Sequence, residues 1–105
     1  MNRAYEELAS LDRFLHEPAR LAILTALSEV QSADFLFLRR LTGLTVGNLS
    51  THLSKLAEAG LVEIDKQFVN RRPNTQVQIT RVGREAVERH WQKLDEIRKA
   101  TRHTP

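Results

Sequence analysis

Between residues 45 and 60 the chain reads TVGNLSTHLSKLAEAG. Leu49, Leu53 and Leu56 are spaced i, i+4, i+7, the period of one buried helix face. The other side of that helix carries Thr45, Gly47, Asn48, Ser50, Thr51, Ser54 and Lys55. Hydroxyls and the carboxamide both donate and accept hydrogen bonds, and glycine adds no bulk. None of these groups has a base beside it to make it a nucleophile. The chemistry on offer is hydrogen bonding at close range. A face that met only water would be expected to hold better helix formers such as Glu, Lys and Ala. A second group is cationic: Arg71 and Arg72 stand beside Pro73, and Arg39 with Arg40 precedes a glycine by three residues.

Other chemistries lack their residues. With no cysteine in 105 residues, disulfides, thiolate metal sites and cysteine nucleophiles are excluded. His16, His90 and His103 have no ligand spacing, and His52 lies between the polar and apolar sides of its helix, where a packed, hydrogen-bonded role is expected. No paired carboxylates, nucleophile–base pair or phosphate-cradling glycine loop occurs, so neither an enzyme, a metal site nor a cofactor is expected. Net charge is +3 but uneven. Residues 1–34 hold three basic groups against six acidic, residues 35–84 eight against three, and the remainder five against four. A basic middle calls for an anionic partner.

Several elements must position these groups. YEELASLDRFL sets Tyr5, Leu8, Leu11 and Leu15 on one helical stripe, giving a first helix within residues 1–15. EPARLAILTALSEV is a second helix, with Pro18 in its first turn. ADFLFLRRLTG starts at the capping residue Asp34 and stops at Gly43, with Phe35, Leu38 and Leu41 inward. Thr45 caps the next helix, and Gly60 ends it. LVEIDKQFV alternates, turning Val62, Ile64 and Phe68 to one side; NRRPN is a turn, and TQVQIT directs Val77 and Ile79 inward. Thr80 caps a last helix, whose end at 86–102 is a second apolar stripe.

Helix, helix, short helix, helix, hairpin, helix predicts a mainly α fold with a small β-hairpin: a winged helix-turn-helix with extra N- and C-terminal helices in a single domain, 1–105. A short polar helix 45–59 fits the DNA major groove, where Asn pairs with adenine and Ser or Thr with several base edges. The hairpin 62–79 is the wing. HEPARLAIL, LSTHLSKLAEAGLV, RRPNTQVQIT and GREAV make the chain resemble winged-helix transcriptional regulators of the MarR/ArsR type over about residues 16–87. The resemblance implies double-stranded DNA as partner. It assigns base reading to Thr45, Gly47, Asn48, Ser50, Thr51, Ser54 and Lys55, and backbone or minor-groove contact to Arg71 and Arg72. Arg39 and Arg40 suit phosphate. It also implies a homodimer. The leftover apolar residues Tyr5, Leu8, Leu11, Trp91 and Leu94 in the terminal helices (1–15 and 86–102) are the expected interface. With no signal core in MNRAYEELAS and no long apolar run, the expectation is a cytoplasmic, nucleoid-associated protein without membrane contact. The residues specify no effector. Competing readings are a non-specific architectural DNA binder and a winged helix used for protein interaction.

Overall fold

The computed structural model describes residues 3–102. Helix α1 (Ala4–Ala9) is followed by α2 (Pro18–Ser28), strand β1 (Ala33–Asp34), α3 (Phe35–Thr42), α4 (Val46–Glu58), β2 (Val62–Val69), β3 (Arg72–Ile79) and α5 (Arg81–Arg102). The first helix is shorter than its apolar stripe predicts. After Ala9, the Asp12 carboxylate accepts the Phe14 and Leu15 N–H groups at 2.9 and 3.3 Å, offering the backbone a turn in place of a helix. Leu11 and Leu15 are buried through that turn rather than along a continuous helix.

The helix ends follow their capping residues. Asp34 accepts the Phe37 N–H at 2.7 Å to start α3, and Gly43 ends it at φ 72°. The Thr45 hydroxyl accepts the Asn48 N–H at 3.1 Å at the head of α4. Strands β2 and β3 pair antiparallel through a two-residue turn, with Asn70 and Arg71 at φ 51° and 64°. Positive φ at both positions fits the strand twist, and Asn accepts it with little cost. The sheet has three strands rather than the two expected. Strand β1 adds to the far side of β3, in the order β1-β3-β2, with Ala33 opposite Val77.

The core lies between α2, α3, α4, the root of the sheet and the start of α5. Ile23, Leu24, Leu27, Leu38, Leu49, Leu56, Val77 and Val87 are its largest fully buried side chains. Two expected core residues are not in it. Leu41 is 57% exposed because α3 is only eight residues long and turns one row, centred on Leu38, to the core. Phe68 is 78% exposed because the hairpin runs on past the helices that cover Val62 and Ile64. Gly83 lets α5 start directly on the chain leaving α4: the Thr80 N–H donates to the Leu61 carbonyl at 3.0 Å, and the Thr80 hydroxyl to the Gly60 carbonyl at 2.7 Å. The far half of α5 meets α1 in a second, small cluster of Ala4, Leu11 and Ile97. The molecule is correspondingly long, 62 × 25 × 21 Å, with a radius of gyration of 16.1 Å. A compact chain of this length would have about 13 Å.

Candidate nucleic-acid interface

The site is built on α4. Gly43 and Leu44 break the chain, Thr45 caps the new helix, and Leu49, Leu53 and Leu56 seat it in the core. At about 100° per residue Ser50, Ser54, Gly47, Thr51, Lys55 and Asn48 fall, in that order, on one arc of roughly 160°, and Glu58 lies on the same side in the last turn. Every one of them is exposed, as is Thr45. A Cβ added at Gly47 would meet nothing within 4 Å, so the centre of this arc is the closest approach the helix backbone offers. The Thr45 oxygen is engaged in capping, which leaves its hydroxyl proton to donate outward.

Side chains beneath hold α4 in place. The Arg20 guanidinium donates to His52 Nδ1 at 3.2 Å and, through Nε, to the Phe14 carbonyl at 2.8 Å. It also lies 4.5 Å above the Phe14 ring. The Glu17 carboxylate accepts the Ala19 and Arg20 N–H groups at the start of α2 and lies 3.7 Å from His52 Nδ1. Burial pushes the Glu17 carboxyl up. The two backbone N–H groups, His52 and Arg20 outweigh it and hold the group below its ordinary value. His52 is thus the packed, hydrogen-bonded residue expected. Its partners Glu17 and Arg20 were missed, because only the fold brings residue 17 near residue 52. A polar residue in the inner row of α4 was the available signal.

Arg39 and Arg40 sit exposed in the last turn of α3, beside Gly43 and Leu44 where the chain enters α4. Their charge there complements the helix dipole as well as facing outward. Arg71 lies in the hairpin turn, and Arg72 opens β3 opposite Val69. Among the described residues the ion pairs involve Glu17, Glu85 and Asp95, so Lys55, Arg39, Arg40, Arg71 and Arg72 are left without an acidic partner.

The residues expected at a two-fold interface separate into three sets. Tyr5, Leu8 and Leu94 line one exposed groove between α1 and α5. Trp91 lines another with Leu21, Ala22 and Ala26 of α2; its indole N–H donates to the Thr25 hydroxyl at 2.9 Å, while the ring stays 46% exposed. Leu11 must be withdrawn, because it is already buried against Ala4 and Ile97 of its own chain. Near it, His16 Nδ1 lies 3.0 Å from Nε2 of the buried His90. His90 is held below its ordinary value, first by burial and then by His16. His103 lies outside the described residues. Among the described residues no group of three or more His, Asp or Glu side chains could hold a metal ion, and no helix is long and apolar enough to cross a membrane.

Residues 19–98 match the family model of a winged helix DNA-binding domain. The chain belongs to that family. An uncharacterized protein of Methanocaldococcus jannaschii is 32% identical over 87 residues, which span 83% of this chain and 95% of that protein. The structure of a transcriptional regulator homologue from Pyrococcus horikoshii OT3 superposes with a TM-score of 0.84 at 30% identity, covering 94% of this chain and 97% of that one. A MarR-family transcriptional regulator from Silicibacter pomeroyi shares the fold with a TM-score of 0.67 at 21% identity, over 98% of this chain and 68% of that one. Winged helix regulators of this family are DNA-binding proteins, not enzymes. In this winged helix, α3 and α4 are the helix-turn-helix, and β2 with β3 is the wing.

Proposed function

We propose that the protein is a sequence-specific DNA-binding transcriptional regulator that acts as a homodimer, with α4 in the major groove and the β2–β3 wing against the backbone or minor groove. The observation that carries this reading is the α4 arc: over residues 47–55, six exposed positions of short or cationic side chains surround a glycine with open space above it. Such a surface lets a helix come close to base edges and supplies donors and acceptors to read them. Arg39, Arg40, Arg71 and Arg72 flank it with charge for phosphates. The extended shape supports the dimer. Its α1–α5 arm carries Tyr5, Leu8 and Leu94 on a surface that the chain itself leaves open, and Trp91 marks a second open apolar surface against α2. Two-fold pairing through this arm would place two reading helices about 34 Å apart, one turn of DNA.

Selection from a random duplex library, followed by affinity measurement at a fixed salt concentration, tests the reading. A regulator of this kind enriches a two-fold site and prefers it to scrambled DNA by about a thousandfold or more. Equal affinity for selected and scrambled duplexes would make the protein an architectural binder instead.

A further inference from the structure

We propose that Phe68, with Pro73 opposite it, is an apolar wedge that the wing presses into the minor groove, so that the wing sets the bend of the bound duplex. This inference rests on the DNA-binding reading above and extends it to a residue and a deformation. Phe68 is the most exposed large apolar side chain among the described residues, at 78%. Alternation along β2 places it on the face that carries Val62 and Ile64, the side against which α4 packs. The helices cover only the root of that face, so the aromatic ring lies beyond the core and on the same side of the sheet as the reading helix.

Its surroundings say what kind of partner covers it. In the β2–β3 register Phe68 is directly opposite Pro73, which has no N–H, so two apolar groups share the tip of the ladder. Lys66 lies two residues away on the same face, and Arg71 and Arg72 close the turn. From residue 66 to residue 73 there are three cations and no carboxylate. An apolar centre ringed by positive charge alone matches a polyanion that has apolar surface between its charges. Duplex DNA has that pattern: phosphates on both strands and stacked bases between them. Apolar side chains that enter the minor groove partly unstack a base step and kink the duplex toward the major groove. The tight two-residue turn fixes Phe68 relative to the arginines, so wedge and phosphate contacts would engage together.

The test compares wild type, Phe68→Ala and the double variant Arg71→Ala with Arg72→Ala on one selected duplex. Each is measured for affinity, for salt dependence and for bending by energy transfer between dyes at the duplex ends. Phe68→Ala should keep its fold, because the side chain is exposed. It should bind about tenfold more weakly, the effect of losing part of an aromatic side chain's burial. It should bend the duplex less and leave the salt slope unchanged. The arginine variant should lower the salt slope. A Phe68→Ala protein that binds and bends as wild type does overturns the wedge, and so does a wild-type complex with straight DNA; both leave the DNA-binding reading intact. Loss of affinity accompanied by a change in oligomeric state assigns Phe68 to a protein contact and also overturns the wedge. A wild-type protein with no affinity for any duplex ends both proposals.

Discussion

Gly47→Ala should stabilise the protein and weaken its complex with DNA, and the two effects can be measured separately. Gly47 is the second residue of α4, and a Cβ there meets nothing within 4 Å. The methyl group therefore brings no steric cost in the free protein. Replacing glycine in a helix removes the excess backbone entropy of the unfolded chain and is worth up to about 1 kcal/mol. So near the helix start, about 0.5 kcal/mol is expected, read as a higher urea midpoint at unchanged slope. In the complex the same methyl group stands at the centre of the reading arc, one turn before Thr51. It holds the helix away from the groove floor and lengthens the hydrogen bonds of its neighbours. Loss of one good base contact costs roughly 1–3 kcal/mol. Affinity for the selected site should therefore fall about tenfold or more, and affinity for scrambled DNA should fall less. A Gly47→Ala protein that is more stable and binds the selected site as tightly as wild type would place the centre of the α4 arc outside the interface.

The same substitution at Gly83 should act in the opposite direction. Its Cβ would collide with the Leu61 carbonyl oxygen and lie 2.9 Å from the carbonyl carbon, so Gly83→Ala should destabilise by about 1–3 kcal/mol, and a raised urea midpoint would refute the packing argument. For His90, burial and His16 favour the neutral ring in the folded state. Its contribution is complete above the ordinary value of 6.5 and is lost as pH falls through and below it; His90→Gln should flatten the stability curve between pH 7.5 and 5.5, and an unchanged slope would assign the effect elsewhere. Glu17 acts lower. Its depressed pKa gives stability that is complete above 4.5 and fades as the medium becomes more acidic, and Glu17→Gln should remove that part of the acid transition. Trp91→Ala combined with Leu94→Glu should give a folded monomer by sedimentation, with steeply reduced affinity for a two-fold site, because linked half-sites gain from high effective concentration. A variant that stays dimeric and binds normally would move the interface elsewhere.

Much of this architecture could be read before the structure because its signals are local. Asp34, Gly43, Thr45 and Gly60 punctuate the chain through their own backbone preferences, and Asn70 needs no tertiary partner to favour a tight turn. The Leu49, Leu53 and Leu56 spacing fixes which side of α4 is buried, and with it which residues are exposed. Where the sequence misled, distance along the chain or the reach of the core decided the matter. Strand β1 is two residues long and exists only because β3 offers it an edge. Phe68 alternates correctly along β2, yet alternation is silent about where the supporting helices stop. The stripe in residues 5–15 is genuine, but Asp12 diverts the backbone, so Leu11 serves its own chain. Glu17 and Arg20, at the start of α2, carry no local signal of a partner, and only the crossing of α2 and α4 gives them His52.

A titration of the isotope-labelled 12.1 kDa protein with its selected duplex, followed by amide chemical shifts, reads out which faces of the protein meet DNA. The largest changes should fall at Thr45, Gly47, Asn48, Ser50, Thr51, Ser54 and Lys55, with a second set at Phe68 and Asn70 to Arg72. Scrambled DNA should move the wing and spare most of the α4 set. Changes confined to other surfaces, with α4 unmoved at saturation, would rule out α4 as the reading helix.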